Sequence, residues 1–475
     1  MQPSALHLVK AVVVLAAWGA LAFGAVYPWA YRPLVVGAFV TGVLALVAAR
    51  RDLRTAIPPA LAIGLGLIVV SIGLQLVPLP ARAMSELSPA AHALLQRADL
   101  TYGAGEVGRH SLSVSPERTA LALAFAVSLA SLLLGTATIL PQVGAKRFCA
   151  AIVGLGTVLA LVGIVQKPLY AGRIYGFWEP LFEGNPFGPF VNKNHFAGWM
   201  VMALSLSLGY YAGRIAAVRR DARSSFRDRV LWLSSSDANQ LFLIGICLAV
   251  MALSLVLTLS RSGITCLAIA VVLTGIVAAT KSGARSRRAA IVGYAGTLFA
   301  VAIWWAGSEV VAQRFASADW SEFNNRLGAW KDAWQIAMRF MPFGSGLNTY
   351  GSTTLLYQSS DVAHHYVEAH NDYLQLAAEG GLLVGIPVAI TVAAFGHAIL
   401  RRFRRGEDDV LTGWIRMGAL TGIVAIALQE VAEFSLQIPG NAVLFTVLAA
   451  IAVHKPAPVQ KRVRREARRE VAVGG

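Results

Sequence analysis

Charged residues make up only 14% of this 475-residue chain, there are three cysteines, and acidic side chains are outnumbered by basic ones, 25 to 41. Each shortage excludes something. A soluble globule carries roughly a quarter of its residues as charges. So low a fraction, beside 56% hydrophobic residues and a mean hydropathy of +0.60, describes a chain whose solvent is mostly lipid. Cys149, Cys247 and Cys266 all lie inside apolar runs, in no CxxC or Cys/His spacing, so neither a disulfide nor a structural zinc is expected. The net charge of +16 would suit a nucleic-acid partner. The basic residues, however, sit in short clusters between apolar runs, not on a face that could follow phosphates, and no nucleic acid is expected.

What the chain has in quantity is apolar length. A helix needs about 20 apolar residues to cross a bilayer, and runs near that length recur at 7–28, 33–50, 59–79, 119–140, 147–166, 196–215, 241–260, 264–280, 289–308, 380–400, 412–433 and 440–454. The first, with Lys10 near its start, reads as a helix and not as a cleaved leader. With the N-terminus placed in the cytoplasm, 28 of the 41 basic residues fall on the inside. Arg50/Arg51/Arg54, Lys146/Arg147, Arg214 to Arg229, Lys281 to Arg288, Arg401 to Arg405 and the Lys461 to Arg469 tail all share that side. The expected fold is an all-α polytopic membrane protein with about twelve transmembrane helices. Its expected divisions are 1–118 (helices 1–3 and a first outer loop), 119–308 (helices 4–9), a large outer loop at 309–379, 380–454 (helices 10–12), and a basic tail from 455 to 475.

Three outer segments exceed a turn: 80–118, 167–195 and 309–379. The third has the length at which unstructured connections are usually functional. Within it, Leu327, Trp330, Ala333, Trp334, Ala337 and Met338 follow helical spacing, which predicts an amphipathic helix over Phe323 to Phe340 suited to a membrane surface. Pro342 and Gly344-Ser345-Gly346 end it.

Four polar or cationic clusters fall on the outer side, each beside a helix end: Asn192-Lys193-Asn194-His195, Ser260-Arg261-Ser262-Gly263, Asn324-Asn325-Arg326, and Glu368-Ala369-His370-Asn371-Asp372. A cation there either snorkels to headgroups or binds an anion. Arg261 has little slack in a four-residue connection, Arg326 fits a solvated helix face as readily as a ligand site, and Lys193 would serve as an interfacial anchor. His370 has carboxylates close by in sequence, which can fix an imidazole tautomer for general-base work. The alternative is an ordinary structural histidine. His364, His365 and His370 match neither HExxH nor a zinc-ligand pair, and no outer Asp-x-Asp pair is present to hold a metal diphosphate. Any diphosphate would then be neutralised by Arg and Lys, with no metal or other cofactor.

The order of these strings resembles a known family. Phe190-Val-Asn-Lys-Asn-His-Phe-Ala-Gly198, Leu259-Ser-Arg-Ser-Gly263, Arg326-Leu-Gly-Ala-Trp330 with Pro342-Phe-Gly-Ser-Gly346, and Ala369-His-Asn-Asp-Tyr-Leu-Gln375 with Glu379-Gly-Gly381 are similar to the successive signatures of the O-antigen ligase and polymerase superfamily. The similarity spans roughly 185–445, about half the chain. A fifth string, Glu433 to Asn441, resembles the family's last outer turn, where the family often has His and Asp in place of Gln429, Glu430 and Glu433; these receive no role. The resemblance implies a GT-C-like helical fold in the bacterial inner membrane, with its site on the periplasmic face. It further implies an inverting, metal-independent transfer of glycan from undecaprenyl diphosphate to an acceptor hydroxyl. The acceptor would be a lipid A-core sugar for a ligase, or a growing glycan for an O-antigen or exopolysaccharide polymerase. Arg261 and Arg326 would hold the diphosphate and His370 would be the base, with Lys193, Asn194, His195 and Asn371 as further substrate contacts. His195 is the rival base, disfavoured by the cation beside it. A transporter or flippase is the competing class, but it should place its ionisable groups near the bilayer midplane. Membrane lipids are the remaining expected partner.

Overall fold

The computed structural model describes residues 3–50, 57–181, 185–221, 234–281, 320–360 and 365–456. Its helices are α1 (Pro3–Leu21), α2 (Pro28–Ala48), α3 (Pro59–Leu74), α4 (Ala81–Leu87), α5 (Pro89–Ala98), α6 (Leu100–Gly103), α7 (Pro116–Val143) and α8 (Lys146–Leu169). They continue with α9 (Lys193–Asp221), α10 (Ser236–Leu257), α11 (Arg261–Lys281), α12 (Trp320–Arg339), α13 (Tyr350–Tyr357), α14 (Asp372–Arg405), α15 (Val410–Gln429) and α16 (Pro439–Val453). A short antiparallel pair, β1 (Pro78–Pro80) with β2 (Arg109–Ser111), registers Leu79 against His110.

Eleven of the twelve apolar runs coincide with one of these helices, and the run at 289–308 lies outside the described residues, as does the tail from 457. Among the described residues seven helices are long and apolar enough to cross a membrane: α2, α7, α8, α9, α10, α14 and α15. Four more helices are apolar over shorter described stretches: Ala5–Leu21 of α1, Pro59–Leu74 of α3, Arg261–Val272 of α11 and Pro439–Val453 of α16. The chain is a polytopic, mainly helical membrane protein.

Two helices are buried almost on all sides, the arrangement expected of helices that pack against protein and not lipid. They are α9, with Trp199 to Leu204 fully enclosed, and α16, whose residues from Val447 to Val453 are all buried. Small residues let these axes come close, as in other membrane bundles. A methyl group on Gly209 of α9 would stand 2.7 Å from the Gly418 Cα of α15. At the inner end the fully buried Arg416 grips Asp408 with two N–H groups (2.7 and 2.8 Å) and donates to the carbonyls of Ile451, Ala452 and His454, closing the C-terminus of α16.

Residues from 84–112 and from 333–378, distant in sequence, build a second hydrophobic core apart from the bundle. Met84, Leu94, Leu95, Tyr102 and Leu112 from the first pack with Ala333, Ile336, Ala337, Phe340 and Tyr350 from the second. The expected amphipathic helix forms as α12 and packs into this cap. Its alanine stripe is buried in the cap, while Trp334 and Met338, expected on the same apolar face, are exposed. One buried side chain fastens cap to bundle. Gln75, just after α3, donates to the carbonyls of Phe343 (2.8 Å) and Glu379 (2.9 Å) and accepts from Leu347 N–H (3.1 Å).

Two of the sequence strings turn out to be halves of one joint. The helix α14 breaks at Gly381 (φ 55°, ψ −153°), and the N–H groups of Leu382 and Leu383 bond instead to the Pro342 carbonyl (2.7 and 3.1 Å). In return Ser345 and Gly346 N–H reach the carbonyls of Ala378 and Glu379 (3.0 and 2.9 Å). No side chain fits between, because a methyl on Gly344 would lie 2.1 Å from the Glu379 carbonyl oxygen.

Candidate functional site

One end of the bundle gathers helix starts. Asn192 opens α9 by accepting Asn194 N–H (2.8 Å) on its side chain. Asn371 opens α14 in the same way, taking Tyr373 and Leu374 N–H (3.1 and 3.0 Å). Thr258 accepts Ser260 N–H (3.1 Å) where Leu259 turns left-handed (φ 53°), and Arg261 begins α11 immediately afterwards. Pro439 begins α16. Four helix N-termini therefore lie at one end, each carrying the positive pole of its dipole.

The turn between α15 and α16 ties these starts together through a residue that received no role above. Glu433, 1% exposed in its side chain, accepts from Arg326 Nη2 (3.1 Å) and from Asn194 Nδ2 (2.8 Å). Arg326 also donates through Nη1 to the Ala432 carbonyl (2.7 Å). The solvated face considered for Arg326 is thus replaced by a half-buried guanidinium held at two points, with 28% of its side chain exposed. On the other side Gln429 Nε2 donates to the Asn194 carbonyl (3.1 Å), and Asn441 Nδ2 donates to the His195 carbonyl (3.0 Å).

The next residue in the turn, Phe434, stands between the two candidate bases. The His195 and His370 rings meet it edge-on, with centroids at 4.6 and 4.9 Å. His370 adopts a left-handed backbone (φ 50°), uncommon for a side chain other than glycine and a strain that surrounding contacts must hold. Trp330 of α12 supplies one of them by donating Nε1–H to the His370 carbonyl (3.2 Å). The carboxylates expected to orient His370 do not. Glu368 accepts from Gln375 Nε2 and Asp372 from Gln437 Nε2 (2.6 Å), leaving His370 Nδ1 buried and without a protein partner. Neighbours in sequence diverge here because His370 sits at a reversal just before the cap of α14.

Electrostatics follow from this burial. The His370 imidazole is pushed down to about 4, first by desolvation and then by the Arg326 charge. Glu430, whose carbonyl accepts Asp372 N–H (3.1 Å), is pushed up by burial and by the nearby Asp372 carboxylate. Buried polar atoms lacking a protein partner concentrate at the same place: His195 Nε2, His370 Nδ1, Gln429 Oε1 and Asn441 Oδ1. Native interiors leave few such atoms, and a cluster of them makes this turn the candidate functional site.

Of the sequence candidates, Asn194, His195, Arg326 and His370 meet around Ala432 to Phe434. Arg261 and Lys193 begin α11 and α9 at the same end, where the first turns touch: a methyl on Gly263 would stand 2.8 Å from Ala197 Cβ. Asn371 is the cap of α14. Sequence reasoning missed Glu433, Phe434, Gln429 and Asn441. The available signal was an acid among amides, beside an apolar run, at the end of the chain's helices that also carries Lys193, Arg261 and Arg326.

Residues 246–389 match the family model described as O-antigen ligase. The match takes in Arg261, Arg326 and His370 but stops short of Asn194, His195 and the Ala432–Phe434 turn that joins them. No curated protein matches the chain.

Proposed function

We propose, from the support that this match gives to the O-antigen ligase superfamily, that the protein joins a glycan carried on undecaprenyl diphosphate to a lipid A-core sugar hydroxyl. The reaction is placed at the periplasmic face of the inner membrane. The observation that carries the reading is the meeting of a half-buried guanidinium, Arg326, and an unpartnered imidazole, His370, on one turn at the helix-start end of the bundle.

In the reaction the acceptor oxygen bonds to the anomeric carbon while the bond from that carbon to the diphosphate oxygen breaks. The electron pair leaves with undecaprenyl diphosphate, and the hydroxyl proton passes to His370. Attack in line with the leaving group inverts the anomeric centre. Guanidinium groups fixed before the reaction stabilise charge as it develops on the departing oxygen, without solvent having to reorganise. Arg326 has five N–H donors, of which two are bonded to Glu433 and Ala432, so an edge remains for phosphate oxygens. Arg261, fixed at the first position of α11, supplies the second cation, and Lys193 and the helix dipoles add to the same field.

The low basicity of His370 fits this order of events. Imidazole is neutral at pH 7 with its basicity reduced by burial and Arg326. A bound diphosphate offsets the Arg326 charge, the lesser of the two causes that depress His370, and so raises its basicity. The base is therefore strengthened only when donor is in place. Activity without a metal follows from the cations taking the role that magnesium plays for many diphosphate sugar donors.

The test is reconstitution of the full chain in proteoliposomes with undecaprenyl-diphosphate-linked oligosaccharide and either lipid A-core or a second lipid-linked repeat unit. Transfer to lipid A-core, in the presence of chelator, is the expected outcome. Extension of the second repeat would make the protein a polymerase, and transfer to neither would refute the reading.

A further inference from the structure

We propose that Glu433 is a positioning residue which fixes the Arg326 fork and weakens its hold on diphosphate, so that the lipid diphosphate product can leave. This inference deepens the transfer reading above and rests on it.

Three observations carry it. First, Glu433 is the only carboxylate among the described residues within salt-bridge distance of Arg326, and its own side chain is enclosed by protein. An ion pair so placed is costly to build unless each charge is also hydrogen-bonded, and here Asn194 supplies a further bond to the carboxylate. Second, the two bonds on Arg326 come from successive residues of one turn, the Ala432 carbonyl and the Glu433 carboxylate, which defines the plane of the guanidinium. A planar fork recognises two phosphate oxygens only when that plane is set. Third, the brace joins three separate elements: Arg326 belongs to the cap helix α12, Asn194 to the buried bundle helix α9, and Glu433 to the turn between α15 and α16. The acid thus registers the cap against the bundle at the reacting centre.

The charge has a second effect. A carboxylate 3.1 Å from Nη2 cancels much of the field that Arg326 presents to an anion. Diphosphate is both part of the substrate and the whole head of the product, so cations left unopposed would hold the product as firmly as they hold the donor. Glu433 lowers ground-state affinity while keeping the fork aligned for the transition state, which is the useful direction for turnover.

The experiment compares wild type with Glu433→Gln and Asn194→Ala, using full-length protein, in two measurements. One titrates inorganic diphosphate onto the detergent-solubilised protein; the other follows steady-state transfer from undecaprenyl-diphosphate-linked oligosaccharide. Glu433→Gln is expected to bind diphosphate about 10-fold more tightly, from removal of one opposing charge at close range, and to lower kcat by about 10-fold through a loosened fork. Asn194→Ala keeps the charge but frees the carboxylate, so it is expected to lower kcat severalfold with diphosphate affinity unchanged. A role confined to folding would weaken binding and transfer together in both variants, and that result overturns the proposal. Unchanged kcat in Asn194→Ala overturns it as well, even if Glu433→Gln does not fold. If wild type binds diphosphate yet transfers nothing, the transfer reading fails by itself, and the tighter binding expected of Glu433→Gln still decides whether Glu433 opposes Arg326.

Discussion

Replacing Gly381 by alanine should unlock the cap from the bundle. At φ 55°, ψ −153° the backbone occupies a region open essentially to glycine, and the strain of holding another residue there is about 1–3 kcal/mol. The added methyl would also lie 2.4 Å from the Pro342 carbonyl oxygen and 2.6 Å from Gly344 N, against backbone that has no flexible side chain to move aside. Relief requires the two strings to separate, which loses the bonds from Leu382 and Leu383 to Pro342, each contributing about 1 kcal/mol net. The sum is about 3–5 kcal/mol, enough to open a local unit while the bundle stays folded. Gly385, one turn further along α14, is the control: nothing lies within 4 Å of a methyl there. Gly385→Ala should be neutral or slightly stabilising, since alanine is the better helix former. The assay is limited proteolysis of purified protein in detergent, reading cleavage within 320–360, together with thermal unfolding. Gly381→Ala is expected to be cut there far faster than wild type and Gly385→Ala no faster. Equal protection of the two variants would refute the interlock as an energetic joint.

Two further outcomes concern the reacting groups. His370→Ala should insert and bind diphosphate but lose about 10²–10⁴-fold in transfer, whereas a larger loss in His195→Ala would move the base to α9. Because His370 is depressed to about 4, it is in its basic form above that value. Transfer by donor-free enzyme, read as kcat/KM, should hold as pH falls through 6 and decline only near 4, and Arg326→Gln should move that decline upward by removing the neighbouring cation. Arg261→Lys should lose most transfer at matched expression, because an ammonium replaces a two-point fork with one point charge; near wild-type rates would reduce Arg261 to an electrostatic anchor.

The helices were legible because a membrane helix announces itself by apolar length alone, and eleven runs could be placed without knowing a single contact. The cap was not legible in that way. Its core joins residues near 84–112 to residues near 333–350, and helical spacing in α12 marks two apolar stripes without saying which one the cap would take. The strings around Pro342 and Gly381 were visible as glycine-rich stops, yet their meaning as one joint depends on a pairing across some forty residues. For the site, residue types that commonly do chemistry drew attention to Arg326 and His370. Glu433 escaped because its contribution is made through a partner, and partners distant in sequence leave no periodic trace. His370 shows the opposite error, since the carboxylates beside it in sequence turn away to Gln375 and Gln437.

The shortness of α16 sets how deep an acceptor must reach. Fifteen residues at 1.5 Å rise span about 22 Å, while the hydrocarbon layer is about 30 Å thick. Polar groups terminate the helix at both ends, Arg416 against its last carbonyls and the Glu430–Asn441 turn against its first residues. Because α16 is wrapped by protein, lipid need not thin to match it. Were one end of α16 set at a hydrocarbon boundary, the turn that carries Glu433 and Phe434 would sit several ångströms below the opposite headgroup plane. The floor of the site is then a recess. Under the proposed transfer, a lipid-linked diphosphate would enter it sideways with little vertical travel, whereas a sugar acceptor would have to descend from the water past the cap.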